Sequence, residues 1–433
     1  MVATLIIVIV TFVLLTSSIL FFPNISFGKH KVGTYWIVAL VGAVILLASK
    51  LVPIGEVWSG LTADNGINPL KILALFFSMT FLSVVLDELG FFRYLADKAA
   101  SAAGKSQLTF FILFYFLTAI LTVFTSNDVV VLTLTPFICF FCKNAEVDPI
   151  PYLVAEFSAA NTWSMMLVIG NPTNIYLASF AGIEFISYLR TMVLPTLAAG
   201  AVEFGIIFLL FGKKLQAELS HHNNERALPN RPALIVGLTH LGVCLLFLVI
   251  SGYLHVEMWL VSAICALSLL VFMLLMRVFS HRKDPLLASS LRRLPWQLIP
   301  FVLSMFVIVI CLGYQGINEK IASFLGEKAC VWTYGYSSYL AANLINNIPM
   351  SILFGSLPVA LSDVARMQAI YASIIGSNIG AFLTPIGALA GIMFTELTSK
   401  YEVKFGFGEF VKYGTVVSIP TISVALLVLF FVL

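Results

Sequence analysis

Eight continuous apolar stretches of about twenty residues run through this chain, and each is long enough to cross a bilayer as one helix. They lie at about 3–22, 34–52, 70–88, 187–212, 232–251, 256–276, 297–316 and 411–432. Hydrocarbon leaves no partner for a loose backbone group, so only helices and closed barrels cross it. Barrel strands would read as alternating segments of ~10 residues, whereas these runs are unbroken and about twice that long. The composition points the same way, with 60% hydrophobic and 10% charged residues and a mean hydropathy of +1.02. A soluble domain is about half apolar and about a quarter charged. An ordinary soluble enzyme is therefore excluded, as is a disordered chain. The sequence predicts an all-α polytopic membrane protein, with the lipid bilayer as its main partner.

The net charge of +3 carries no nucleic-acid signal, and no nucleic-acid partner is expected. The run Val2 to Phe22 lacks a basic leader and a small-residue cleavage site, so it reads as a retained membrane helix. Cys139 and Cys142 form a CxxC, but Phe140 and Phe141 separate them and no histidine or second pair stands near. They read as small helix residues, and no metal site or cofactor is expected.

Two further apolar stretches, about 150–182 and 366–396, are too long for one straight helix and are interrupted by Gly, Asn and Pro. Two others, about 106–142 and 332–360, carry a polar break: Thr125-Ser126-Asn127-Asp128 and Asn346-Asn347-Ile348-Pro349. The breaks suggest re-entrant hairpins with short tips. Ten crossings with the N-terminus outside then place 18 of the 24 basic residues on cytoplasmic loops, the direction that the positive-inside rule demands. Charge alone leaves a twelve-span arrangement open.

The two halves resemble each other. Leu86-Asp87-Glu88-Leu89-Gly90 and Leu312-Gly313-Tyr314-Gln315-Gly316 each follow an apolar run and precede a short amphipathic segment. A hairpin, a broken helix and a final span then follow in each half. The predicted organisation is a first repeat at 1–212, a cytoplasmic linker at 213–231 and a second repeat at 232–433, each repeat with five membrane helices. Five crossings per repeat is odd, so the repeats are inverted. Inverted repeats with interrupted helices in matching positions are the signature of a secondary transporter with a site near the midplane.

Non-helical backbone at membrane depth survives only where protein or a wet cavity covers it, so the breaks mark the candidate site. In the first half they supply Ser126, Asn127, Asp128, Asn161, Thr162, Asn171, Thr173 and Asn174; in the second, Asn346, Asn347, Ser377, Asn378 and Thr384. Hydroxyls, amides and freed carbonyls can hold a cation or a polar solute, and half-helix N-termini add partial positive charge. The plainer reading is that such residues bind helices together, but four clusters in two matching pairs favour a site. An acid at membrane depth is expensive and by default functional. Asp128, Glu156 and Glu203 are the proton-coupling candidates. For Asp128 the competing role is an N-cap of the returning helix.

Ser126-Asn127-Asp128 with Leu132-Thr133-Leu134-Thr135-Pro136, then Gly170-Asn171-Pro172-Thr173-Asn174-Ile175, resembles the arsenite/antimonite efflux permeases (arsenical pump membrane proteins) of the ion transporter superfamily. Asn346 to Ser351, Leu383 to Ala390 and Phe407 to Gly414 agree, so the resemblance covers nearly the whole chain. That superfamily also holds sodium/proton antiporters and sodium-coupled dicarboxylate and citrate carriers. The resemblance implies a multi-pass protein of the inner membrane that couples protons to export of a neutral trihydroxy metalloid. The arsenical pumps usually carry an acid in the stretch that here reads Gly376-Ser377-Asn378-Ile379-Gly380. This departure leaves Asp128 as the best-placed acid.

The expected function is therefore proton-coupled efflux of arsenite or antimonite. The alternative is a sodium-coupled dicarboxylate/citrate-type anion carrier or a sodium/proton antiporter. The solute is a metalloid oxyacid or an organic anion, and the coupling ion is H⁺ or Na⁺. The chain has no HExxH, GxSxG or intramembrane His pair, so no enzyme is expected. It lacks GxxxxGK[ST], so any ATP coupling would need a soluble ATPase subunit as partner. A homodimer is also left open.

Overall fold

The computed structural model describes residues 1–22, 24–27, 30–63, 68–219, 230–279 and 285–433. The first half contains α1 (Val2–Phe21), strands β1 (Asn24–Phe27) and β2 (His30–Gly33), α2 (Tyr35–Ala48), α3 (Ile54–Thr62), α4 (Pro69–Glu88), α5 (Phe91–Ala103), α6 (Gln107–Phe124), α7 (Asn127–Ala145), α8 (Ile150–Ser164), α9 (Pro172–Phe180) and α10 (Phe185–Phe211). The second contains α11 (Arg231–Ile250), α12 (Met258–Phe279), α13 (Leu286–Arg293), α14 (Leu298–Tyr314), α15 (Ile317–Leu325), α16 (Cys330–Ile345), α17 (Asn347–Ser356), α18 (Asp363–Gly380), α19 (Leu389–Lys400) and α20 (Phe407–Val432). Among the described residues, nine helical segments are long and apolar enough to cross a membrane, which makes this a multi-pass membrane protein.

The order of elements repeats from α1–α10 to α11–α20. Local chemistry explains several joints. Asn68 caps α4 by accepting from the Leu70 and Lys71 backbone N–H groups, with Pro69 in the first turn. The sharp turns from α4 to α5 and from α14 to α15 each need a left-handed residue, and Gly90 (φ +77°) and Gly316 (φ +68°) provide it. Both broken helices carry a 3-10 turn inside the break, Val168–Gly170 and Pro385–Gly387.

Packing between the halves is reciprocal. The first half's α2 and α3 pack on α14, while α12 and α13 pack on α4. Likewise α9 meets α17 and α19 meets α7. The long helices α10 and α20 lie against each other. The pair α16 and α18 approach so closely that a Cβ on Gly376 would lie 2.0 Å from Ser338 Oγ and 2.4 Å from the Gly335 carbonyl oxygen. One turn on, a Cβ at Gly380 would lie 2.8 Å from the Tyr339 carbonyl oxygen. This is the small-xxx-small route to helix contact in a membrane, where backbones touch directly.

Short elements depart from the sequence expectation. The segment 23–33, expected to be a loop, holds the antiparallel pair β1–β2, with Asn24 opposite Gly33 and Phe27 opposite His30. The short helices α3 and α13 are likewise additional. Of the expected linker 213–231, residues 220–229 lie outside the described residues, as do 280–284 of the basic loop 277–296.

Candidate functional site

Both hairpin-like segments turn within two residues. Helix α6 ends at Phe124, Thr125 and Ser126 are extended, and α7 starts at Asn127. In the second half Asn346 alone joins α16 to α17, with φ 72° and ψ 153°. That backbone conformation is nearly restricted to glycine, and strain of this kind collects at functional sites. Two bonds hold Asn346 there: its Nδ2 donates to the Ile386 carbonyl oxygen (3.0 Å), and its Oδ1 accepts from Ile348 N–H (3.3 Å). The tip is thus pinned to the 3-10 turn of the second broken helix.

Beside the first tip lies a cavity of about 420 Å³. Ser126 and Asp128 line it, with Tyr35 of α2, Thr80 of α4, Gln297 before α14 and Met393 of α19. Elements of both halves therefore enclose it. Arg292, Arg293 and Glu396 also line it, and Arg293 is already committed. Its guanidinium lies 2.5 Å from an Asp87 carboxylate oxygen and donates to Glu88 Oε1 at 2.8 Å. Four buried polar atoms around this tip have no hydrogen-bond partner among the described residues: Ser126 Oγ, Asn127 Oδ1, Thr80 Oγ1 and Tyr176 OH. Such orphans cost about 1–3 kcal/mol each when left unpaired.

The remaining candidate residues fall into hydrogen-bonded groups. Asn127 Nδ2 donates to Asn161 Oδ1 (3.1 Å), linking the first tip to α8. Across the halves, Asn378 Oδ1 accepts from Ser164 Oγ and from Asn171 Nδ2, each at 2.9 Å, while its Nδ2 donates to Asn174 Oδ1 (2.6 Å). Asn171 Oδ1 accepts from the Thr173 backbone N–H and hydroxyl, so it caps α9. Ser377 and Ser351 hydroxyls lie 3.4 Å apart near Asn347. Thr384 donates through N–H and hydroxyl to Asn343 Oδ1, which secures the second break to α16.

The acids divide between two environments. Asp128, at the start of α7, faces the cavity. Glu156 and Glu203 are fully buried away from it. Glu156 accepts from the Thr135 hydroxyl at 3.0 Å, between α8 and α7. Glu203 on α10 accepts from the Thr162 hydroxyl and from Tyr115 OH (3.0 Å), and Tyr115 OH in turn accepts from Trp163 Nε1 (3.0 Å). Thr162 thus turns from the break toward α10, although its neighbour Asn161 faces the tip. Sequence reasoning did not single out Tyr115, Thr80, Tyr176, Ser164 or Asn343. Nothing in their own segments marks them, because each matters through a partner far along the chain. Cys139 and Cys142 are free and buried. Among the described residues no group of three His, Cys, Asp or Glu side chains is placed to hold a metal.

Paired interrupted helices from two similar halves, closed around buried amides and hydroxyls within a bundle of membrane helices, define a membrane transporter. The chain belongs to the citrate transporter family (CitMHS), whose family profile matches residues 25–375. It is 26% identical over 411 residues to an arsenical pump membrane protein of Escherichia coli, covering 90% of this chain and 91% of that one. It is 24% identical over 427 residues to a putative arsenical pump membrane protein of Bacillus subtilis, covering 91% and 93%. The fold matches the solved YdaH transporter of Alcanivorax borkumensis with a TM-score of 0.56 at 14% identity, over 98% of this chain and 97% of that one.

Proposed function

We propose that this transporter exports a neutral trihydroxy metalloid, arsenite or antimonite, in exchange for protons, with Asp128 as the coupling acid. The observation that carries the reading is the chemistry around the first tip. The Asp128 carboxyl group and the unpartnered Ser126 and Thr80 hydroxyls line the cavity there, with Glu396 at its wall. The helices α7, α9 and α17 carry no lysine or arginine apart from Lys143 in the last turn of α7, and Arg293 at the cavity wall is held by Asp87 and Glu88. A multiply charged anion would need cations in such a place. A neutral solute bearing hydroxyl groups instead donates to and accepts from amides and hydroxyls. The arsenical pump names of two relatives support the same substrate class.

Alternating access suits the arrangement. Reciprocal packing of the two halves supports a two-fold relation, and five crossings per half would make the repeats inverted. A coupled ion works by changing the balance between inward and outward states, and a group whose ion occupancy differs between them is sufficient. Asp128 lies at a tip that joins the halves through α7 and α19, so its charge can bias that balance.

A second reading has one observation in its favour. Arg292 and Arg293 line the same cavity, and the family takes its name from citrate. On that reading the substrate is a di- or tricarboxylate drawn in by the arginines, with Na⁺ on the tip oxygens. Counterflow in proteoliposomes separates the two. Vesicles loaded with unlabelled solute are challenged with labelled arsenite or labelled citrate, with and without Na⁺. The first reading expects arsenite exchange, competed by antimonite and indifferent to Na⁺. Exchange of citrate alone, dependent on Na⁺, would replace it with the second.

A further inference from the structure

Asn161 and Asn378 hold equivalent places in the two broken helices. Each stands nine residues before the glycine that ends the 3-10 turn, 161 before 170 and 378 before 387. Each donates through Nδ2 to the carbonyl oxygen four residues back, Phe157 and Ile374, at 2.7 and 2.8 Å. Beyond that shared bond their roles diverge. Asn161 turns to the tip of its own half and accepts from Asn127. Asn378 reaches into the other half's break.

A side-chain amide can make four hydrogen bonds, two as acceptor and two as donor. Every one of these positions on Asn378 has a partner within hydrogen-bond distance. Its Oδ1 accepts from Ser164 Oγ and Asn171 Nδ2, and its Nδ2 donates to Asn174 Oδ1 and the Ile374 carbonyl oxygen. Three of these bonds are uncontested; the one proton of the Ser164 hydroxyl is shared with the Asn161 carbonyl oxygen, 2.7 Å away, so the joint also ties in the first half's α8. The partners are themselves fixed: Asn171 caps α9, and Asn174 Nδ2 donates to the Ser164 and Leu167 carbonyl oxygens across the break. The amide has one allowed orientation, since a flip would set two NH₂ groups together at Asn171 and two oxygens together at Ile374.

We propose that Asn378 is a positioning residue, a hydrogen-bonded joint that fixes the two broken helices to each other, and not a ligand for the transported solute. Being an amide, it makes that joint independent of pH. The elements packed around it bring no cation to it. The α8 acid Glu156 is turned to Thr135, α9 brings only Tyr176, α17 has no titratable residue, and Tyr339 of α16 is held by Ser418. The charged residues of α20, Glu409 and Lys412, lie in its first two turns. A carboxylate in this place would confront Asn174 Oδ1 and the Ile374 oxygen with no donor to offer. With an amide here α18 supplies no acid of its own to the break, which favours Asp128 as the coupling acid, a point that rests on the proposed proton-coupled function; the joint itself does not.

The test uses the full-length purified protein without substrate, so it does not depend on what is transported. Unfolding midpoints in detergent are measured from about pH 5 to about pH 8, a range that an aspartate introduced at such a buried position can titrate across. Asn378→Asp, which is isosteric, should stay close to wild type at the acid end and lose several degrees as pH rises. Wild type and Ser164→Ala should show no such slope, the latter with a smaller, pH-flat loss. Counterflow of Asn378→Asp should fall about tenfold at the alkaline end and recover on acidification, as one lost bond network of this kind implies. A pH-flat midpoint equal to wild type for Asn378→Asp would overturn the joint. So would a variant Asn378→Ala that keeps the wild-type midpoint but loses only its stabilisation by added solute, the behaviour of a ligand.

Discussion

Removing one oxygen, in Tyr115→Phe, probes the buried chain that ties α6, α8 and α10 together. The phenyl ring keeps its place, since Tyr115 is fully buried with its ring edge-on to Phe116 (5.3 Å between centroids) and beside Phe204 (5.0 Å). Only the hydroxyl goes. Trp163 Nε1 then loses its acceptor, and Glu203 Oε1 and the Gly200 carbonyl oxygen lose the hydroxyl proton that lies 3.0 Å from each, while Glu203 Oε2 keeps the Thr162 hydroxyl. A hydrogen bond between membrane helices is worth about 0.6 kcal/mol on average and about 1.7 at most. An orphaned buried group adds about 1–3 kcal/mol, so Tyr115→Phe should cost about 1–3 kcal/mol. The assay is a double-mutant cycle with Glu203→Gln, by reversible unfolding in bicelles. Because both changes act on one contact, the double variant should fall short of the summed losses by about 0.6 kcal/mol or more. Additivity within about 0.3 kcal/mol would refute the Tyr115–Glu203 bond and give the hydroxyl proton to the Gly200 carbonyl oxygen.

Three further outcomes are expected. Gly376→Leu should abolish accumulation of folded protein in the membrane, because even its Cβ would meet Ser338 Oγ and the Gly335 backbone; Gly408→Leu, where a Cβ meets nothing within 4 Å, should accumulate normally, and equal yields would remove the close-packing argument. Lys71→Met should cost less than about 1 kcal/mol in the same unfolding assay, since its 2.8 Å pair with Glu257 is half exposed on the acid side; a loss above about 2 kcal/mol would mean that the pair is part of a coupled network. Ser220→Cys should resist an impermeant maleimide added to intact cells and react in everted vesicles, because the flanking segment is rich in basic residues; labelling from outside would reverse the orientation.

The interrupted helices were legible because Gly, Asn and Pro inside an apolar run contradict a continuous helix. Gly170-Asn171-Pro172 and Thr384-Pro385 mark the turns at Val168–Gly170 and Pro385–Gly387. The tips were legible for the same reason. Helices α3 and α13 and the β1–β2 pair were not, since segments of nine, eight and four residues carry too few periods to stand out beside spans of twenty. The polar residues at the breaks were identifiable by type, but their partners were not. Thr162 and Asn161 are adjacent, yet one turns to Glu203 and the other to Asn127. Helical geometry points neighbouring side chains about 100° apart, and only the packing decides which neighbour each one meets. Asn378 reads as a candidate ligand in sequence for the same reason, and its bonds to Asn171 and Asn174 appear only once α18 lies against α9.

Coupling at Asp128 is the central claim, and one measurement addresses it directly. Everted vesicles carrying wild type or Asp128→Asn are given an inward-acid pH gradient and labelled arsenite, and solute counterflow is measured in parallel without the gradient. If Asp128 is the coupling acid, the variant loses gradient-driven uptake and keeps counterflow. Full gradient-driven uptake by Asp128→Asn would contradict the account and reduce Asp128 to a residue at the start of a helix.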